Sequence, residues 1–84
     1  MYYVYVVQSE STGKIYIGQT KNRDKRIKQH NDINFDKRSY TKLNKGPWKL
    51  VYQEQYETRQ DALKREKYFK SHHGRDWLRS VLGP

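Results

Sequence analysis

Cysteine is absent from the chain, which excludes a disulfide partner, a thiolate zinc site and a cysteine nucleophile. Stability must therefore come from packing. Long apolar runs are missing as well. No segment approaches the roughly 20 apolar residues of a spanning helix, and no helical stretch pairs a wide apolar face with a basic one, so a membrane is not the expected partner. Gly13 and Gly18 are isolated, with no Gly-Lys-Ser or Gly-Lys-Thr after a strand, which sets aside a phosphate loop. No Ser-His-Asp arrangement emerges, and the adjacent His72 and His73 point in different directions on any regular element, which does not suit a shared zinc ion.

Acidic residues are also scarce. Nine Asp and Glu stand against 18 Lys and Arg, giving a formal charge of +9 and a pI near 9.9, well beyond what solubility requires. An acidic partner is implied, and nucleic acid is favoured; the plain alternative is a solvated basic surface. Only 33% of residues are hydrophobic and the mean hydropathy is −1.28, yet 14% are aromatic, eight of them Tyr, and these amphipathic rings can close a small core. A chain of 84 residues buries only about 60% of its unfolded surface and supports one core. With no internal repeat and no second composition regime, one domain over residues 1–84 is expected. The N-terminal Met-Tyr-Tyr-Val-Tyr-Val-Val has neither basic leader nor small-residue cleavage site and reads as a strand, with a cytoplasmic location by default.

Tyr2 to Val7 and Lys14 to Gly18 are rich in β-branched and aromatic residues and flank a polar turn, which predicts a β-hairpin. A loop over Ser9 to Thr12 sets Tyr5 directly opposite Tyr16. Alternation places Val4, Val6, Ile15 and Ile17 on one face, and Tyr3, Tyr5, Val7, Lys14, Tyr16 and Gly18 on the other, where Gly18 permits close backbone approach. Lys21 to Asn31 reads as a short helix with Asn22 as N-cap and Asp24 in its first turn. Residues 32–47 form a polar, basic loop with a helical turn around Tyr40 to Leu43. Trp48 to Tyr56 is a third strand, with Trp48, Leu50, Tyr52 and Tyr56 on one face. Thr58 caps a helix running to Lys70, and a last helix spans Arg75 to Leu82, with Gly74 as the C-cap between them. The predicted class is α+β: a small antiparallel three-stranded sheet flanked by helices, in the order β-β-α-β-α-α. Trp77 and Leu78 are expected at the surface, as ready to serve a dimer as the core; the sequence does not fix the oligomeric state.

Two polar placements conflict with this pattern. Glu66 shares the inward stripe of its helix with Ala62 and Leu63, and a buried carboxylate must meet an arginine, a lysine or a metal ion. The simpler account is an exposed i,i+4 pair with Lys70. Arg26 and His30 flank Ile27, the residue that anchors the first helix. A guanidinium suits bidentate grip of phosphate oxygens, and an imidazole can accept or pass a proton near neutral pH.

With these residues in view the chain resembles the GIY-YIG endonucleases, named for a motif on each strand of an N-terminal hairpin. The motifs here are Tyr3-Val4-Tyr5, with tyrosine in place of the first glycine, and Tyr16-Ile17-Gly18, intact. Arg26 falls ten residues after Tyr16 and His30 fourteen, a glutamate sits on the helix after the third strand, and Pro47-Trp48 precedes that strand. The match is to the small, single-domain branch (URI-type, UPF0213-like). The resemblance implies that Tyr5 activates water, Tyr16 positions water or the scissile phosphate, Arg26 neutralises developing charge, His30 assists Tyr5, and Glu66 holds one Mg²⁺ or Mn²⁺ ion, bound fully only with substrate. The family's C-terminal asparagine has no counterpart after Glu66, where Ser71 and His72 are the candidates.

Two functions follow. One is a metal-dependent endonuclease acting on DNA in preference to RNA, on branched or nicked structures, in a DNA-repair setting. The other is a non-catalytic nucleic-acid-binding module. In either, Lys14, Gly18, Lys21, Arg23 and Lys25 are expected to meet substrate, and Lys28, Lys37, Arg38, Lys42 and Lys45 extend the basic surface.

Overall fold

The computed structural model describes residues 1–31 and 46–83, in the predicted element order. Strands β1 (Tyr2–Ser9) and β2 (Ile15–Thr20) are followed by helix α1 (Arg23–Asn31), strand β3 (Trp48–Tyr56) and helices α2 (Arg59–Lys70) and α3 (His72–Leu82). The turn expected near Tyr40 and the basic residues Lys37, Arg38, Lys42 and Lys45 lie outside the described residues. The sheet is antiparallel in the order β2-β1-β3, so β1 is central and shares its hydrogen bonds with both neighbours. Its two faces carry separate cores. Val4, Val6 and Ile17 pack against Ala62, Phe69 and Leu78 of α2 and α3. Tyr5, Val7 and Trp48 pack on the other face with Tyr16, Leu50 and Ile27 of α1.

The hairpin register differs from the predicted one. Tyr5 pairs with Gly18 and Val7 with Tyr16, so Tyr5 is not opposite Tyr16. The reason lies in Ser9, which is not a loop residue. Its backbone N–H donates to the Lys14 carbonyl at 2.9 Å, and its Oγ accepts from the N–H groups of Ser11 and Thr12. That side-chain cap holds Ser9 in the strand and moves the turn to Glu10–Gly13, where Gly13 supplies the positive φ of 77°. The shift is two residues along one strand, so the facial pattern survives and Tyr5 and Tyr16 become diagonal neighbours.

The single face predicted for β3 is also corrected. Val6 pairs with Tyr52 but Val7 with Leu50, which leaves Val51 as the extra residue of a β-bulge. Beyond the bulge the alternation inverts: Trp48 and Leu50 join the α1 face, whereas Val51, Tyr52 and Tyr56 join the α2–α3 face. A strict period of two carried through the bulge misplaces one end of the strand.

The last two helices form a tight pair. Thr58 caps α2 as predicted, its Oγ accepting from the Asp61 N–H at 3.2 Å. Gly74 is not a C-cap. Ser71 ends α2 and starts α3, donating its Oγ–H to the Tyr68 carbonyl and accepting from the Gly74 N–H. Gly74 lies in the first turn of α3 because the Tyr68 carbonyl crosses there; a Cβ on Gly74 would sit 1.9 Å from that oxygen. Trp77 and Leu78 are not surface anchors. Leu78 is 0% exposed, and Trp77 stacks on Phe69 at 5.7 Å and 14°.

One ion pair locks α2 to β3. Glu54 accepts from Arg65 Nε (2.9 Å) and Nη2 (3.2 Å), and also from the hydroxyls of Tyr52 and Tyr56. The Arg65 guanidinium lies over the rings of Phe69, Trp77 and Tyr68 at 4.4, 5.1 and 5.0 Å. Burial alone would raise the Glu54 pKa, but the hydrogen bonds from Arg65, Tyr52 and Tyr56 outweigh it and hold the group below its ordinary 4.5.

Gly74→Ala is expected to cost about 3 kcal/mol or to prevent cooperative folding, since a backbone carbonyl has to move; denaturant unfolding reads this directly. The folded Glu54 carboxyl binds its proton less tightly than the unfolded one, so its stabilisation is present above pH 4.5 and is lost as pH falls through the lowered folded value. Glu54→Gln is expected to destabilise the fold by about 2 kcal/mol at neutral pH. The gap from wild type should close below pH 4.5 in thermal melts. A gap that is constant across this range rules out the ionised carboxylate as its source.

Candidate active site

The α1 face of the sheet carries a phenol that crosses from the central strand to the outer one. Tyr5 is 1% exposed, and its ring lies over Gly18 on β2: a Cβ at Gly18 would fall 2.6 Å from the hydroxyl and 2.7 Å from Cζ. No other residue at that position leaves room for the ring. Tyr16, two residues back on β2, places its ring 6.4 Å away at a tilt of 44°.

Helix α1 brings the guanidinium. Asn22 caps it as predicted, accepting from the Lys25 N–H at 3.1 Å, and Ile27 seats it against Tyr5, Val7 and Trp48. Its far end is held by a residue the sequence reading passed over. Asn31 accepts from the Trp48 N–H at 2.8 Å and donates to the Trp48 carbonyl at 3.0 Å, a two-way amide clamp onto β3. An asparagine closing a short helix is the signal, and it does not say which strand it grips. Thus fixed, Arg26 donates Nε–H to the Tyr5 hydroxyl at 3.4 Å and Nη1–H to Gln29 at 3.0 Å, and it also hydrogen-bonds Tyr16.

This surrounding sets the chemistry of Tyr5. Burial pushes its pKa up to about 12, against a downward pull from the Arg26 hydrogen bond; the Tyr16 phenol and the Glu66 charge push it further up. Tyr5 is therefore a neutral phenol at pH 7. Arg26 is raised: burial pulls it down, but its bonds to Tyr5 and Tyr16 more than compensate.

Glu66 approaches from α2, on the opposite side of the sheet. Its side chain is 17% exposed and it accepts from Lys70 Nζ at 3.1 Å. Both sequence accounts thus hold in part: the i,i+4 pair forms, and the carboxylate is still drawn inward, where its charge reaches Tyr5. Leu63, predicted on the same stripe, is 43% exposed. Among the described residues no three His, Asp or Glu side chains gather into a metal cage. The donors present fit a hydrated hard cation, for which one carboxylate suffices and phosphate oxygens complete the shell.

The remaining expected residues are more scattered. His30 belongs to α1 by its backbone, and its side chain lies outside the described residues. Arg23 is held by Asp24 and by Gln53 (2.6 Å) over the ring of Tyr3, the residue that replaces the first motif glycine. Lys21 lies over Tyr2 at 6.0 Å, Lys25 is exposed on the first turn of α1, and Lys14 is exposed beside the hairpin turn. Ser71 is committed to helix capping, and His72 is exposed and pairs with Asp76 at 3.4 Å, so neither lies in the Tyr5 cluster.

Two motif tyrosines and an arginine on one face of such a sheet, with a glutamate from the helix that follows β3, define a class. The family model for the GIY-YIG catalytic domain matches residues 1–79, and the chain belongs to that family, a family of nucleases. Within it the chain is similar to UPF0213 proteins of the small branch. It is 41% identical over 70 residues to the one from Staphylococcus saprophyticus, covering 83% of this chain and 80% of that protein. Against a Staphylococcus aureus UPF0213 protein the identity is 40% over 80 residues, 95% of this chain and 93% of that one. The solution structure of UPF0213 protein BH0048 from Bacillus halodurans superposes with a TM-score of 0.55 at 28% identity, covering 96% of this chain and 85% of that one. The family implies a nucleic-acid substrate, and its nucleases generally use divalent metal ions. Among the described residues no helix is long and apolar enough to cross a membrane.

Burial and the Glu54 hydrogen bond push Tyr56 up to about 12 as well, so spectrophotometric titration is expected to show two phenols ionising near pH 12, of which Tyr5→Phe removes one. In Gly18→Ala the ring is displaced toward solvent, and the Tyr5 transition should move down toward 10. An unmoved transition in the folded variant excludes the glycine as the seat of the phenol.

Proposed function

We propose that the chain, as one domain over residues 1–84, is a divalent-metal-dependent endonuclease that hydrolyses phosphodiester bonds, in DNA rather than RNA and in branched or nicked structures. The observation that carries this reading is the hydrogen-bonded group of Tyr5, Tyr16 and Arg26, held within electrostatic reach of the half-buried Glu66.

On this reading Arg26 and Tyr16 orient a nonbridging phosphate oxygen and the attacking water. The Tyr5 phenolate takes a proton from that water as its oxygen bonds to phosphorus and the bond to the leaving oxygen breaks. Arg26 balances the charge that builds on the phosphate. His30, one helical turn beyond Arg26, receives the proton that Tyr5 gives up beforehand. Glu66 would hold the divalent ion, which when bound supplies positive charge beside the phosphate. With a pKa of about 12 only about one Tyr5 in 10⁵ is ionised at pH 7 in the free protein, so the active form depends on cationic charge near the phenol.

A second reading has an observation of its own. Lys70 already neutralises Glu66, which would let a non-catalytic module accept a phosphate nearby without repulsion. The two readings part at Glu66. Glu66→Ala is expected to abolish Mg²⁺-dependent cleavage of plasmid, flap and junction substrates while leaving binding intact or tighter. Cleavage that survives the substitution removes Glu66 from the reaction, and an intact protein that binds but never cleaves is a binding module. Tyr5→Phe is expected to lower the single-turnover rate by about 100-fold or more. Because ionised Tyr5 increases tenfold per pH unit below its pKa, the wild-type rate should climb with pH up to the pKa that Tyr5 has in the loaded site, and Tyr5→Phe should lose that climb. The same pH profile in wild type and Tyr5→Phe excludes phenolate as the active form.

A further inference from the structure

The outer edge of β2 does not end at Tyr16. It continues into a channel floored by the strand and walled by the helices of the opposite layer. A depression of about 250 Å³ is lined by Ile15, Tyr16, Ile17, Lys70 and Arg75. Arg75 also lines an adjoining cleft of about 360 Å³, with Lys14 from the hairpin and Arg79 one turn further along α3. The two hollows share Arg75 and Ile15, so they form one path from the Tyr16 side of the candidate active site to the end of α3.

The charge along this path is of one sign. Lys14, Lys70, Arg75 and Arg79 line it, and among the described residues no aspartate or glutamate does. Lys70 is bonded to Glu66, and the contact of Arg79 with half-exposed Asp76, at 3.6 Å, is too long for a hydrogen bond. Arg75 and Arg79 are four apart on α3, so their guanidinium groups extend from the same helical face. Guanidinium groups in that spacing match successive backbone phosphates better than a compact acidic ligand, and the continuity with Tyr16 says which strand they would hold.

We propose that this cleft binds the phosphate backbone of the same nucleic-acid strand whose scissile phosphate lies at Tyr16, with Arg75 and Arg79 as its phosphate ligands. The proposal rests on the nucleic-acid reading above but not on catalysis. It gives α3, which contributes nothing to the Tyr5 cluster, a role in holding the strand on one side of the cut.

The test is the salt dependence of binding to a labelled DNA duplex, measured by fluorescence anisotropy in EDTA. The Arg75→Ala/Arg79→Ala double variant loses two phosphate contacts, so the slope of log K against log salt is expected to become shallower by about 1.8. The control is Lys64→Ala/Lys67→Ala, which removes the same charge from exposed positions on α2 outside the cleft. Its slope should match the wild type. Equal slope changes in both variants, or none in the first, overturn the proposal, because net charge alone then accounts for binding. Cleavage by wild type combined with an unchanged Arg75→Ala/Arg79→Ala slope sinks the cleft and leaves the nuclease standing. The shallower slope in a protein that never cleaves supports the cleft and sinks the nuclease. A wild type that binds no nucleic acid overturns both.

Discussion

A phenol ring lying across a glycine is the contact on which the candidate site depends. Tyr5 comes from the central strand and Tyr16 from the outer one, and in a flat antiparallel pair their hydroxyls would stand over different strands. The bare backbone at Gly18 lets the Tyr5 ring lean outward over β2, so its oxygen meets Arg26 from α1. The same lean brings the phenol toward the edge of the sheet, where the charge of Glu66 reaches it from the other layer. Burying the ring has a chemical consequence: Tyr5 is held neutral until something cationic arrives.

The second layer depends on two adjacent residues of α2 that do opposite things. Arg65 turns toward β3, where Glu54 and two tyrosine hydroxyls hold it over an aromatic stack. Glu66 pairs with Lys70, which lines the hollow against β2. The Arg65 clamp fixes the rotation of the helix about its own axis, and that rotation decides whether Glu66 sits near the tyrosines or swings to solvent. Through Glu66 that rotation adds only a small upward push to Tyr5, whose pKa is raised mainly by burial, and the aromatic stack under Arg65 keeps the Arg65–Glu54 pair partly shielded from water.

The element order was legible in the sequence because each segment has a strong local signature. β3 was read with its observed limits, and the caps Asn22 and Thr58 hold their predicted helices. What failed was decided by single side chains acting on backbone. Ser9 looks like a loop residue, and only its hydroxyl bonds to the turn make it a strand end. The extra residue at Val51 has no compositional mark, because bulges follow from pairing with a partner strand. Gly74 reads as a helix stop, yet it is a crossing point, a distinction that needs the position of Tyr68. Of the candidate site, Tyr5 and Tyr16 were legible on one face through alternation, and Arg26 was legible at the rim of the core through its spacing about Ile27, while its meeting with the tyrosines came from the family resemblance. The Glu66 conflict was legible as a conflict, and its resolution by Lys70 was one of the accounts the spacing allowed. Arg75 and Arg79 escaped notice because helical cations are ordinarily solvated, and only the fold shows them walling a groove.

The sheet order also leaves β2 with a neighbour on one side only among the described residues. A strand in that position offers unpaired amides and carbonyls that can template the addition of a foreign strand, a known route to aggregation. Here Lys14, Lys70 and Arg75 flank that margin. Two copies approaching β2 to β2 would bring like charges together, so the features that suit a polyanion also disfavour the pairing of this margin with itself.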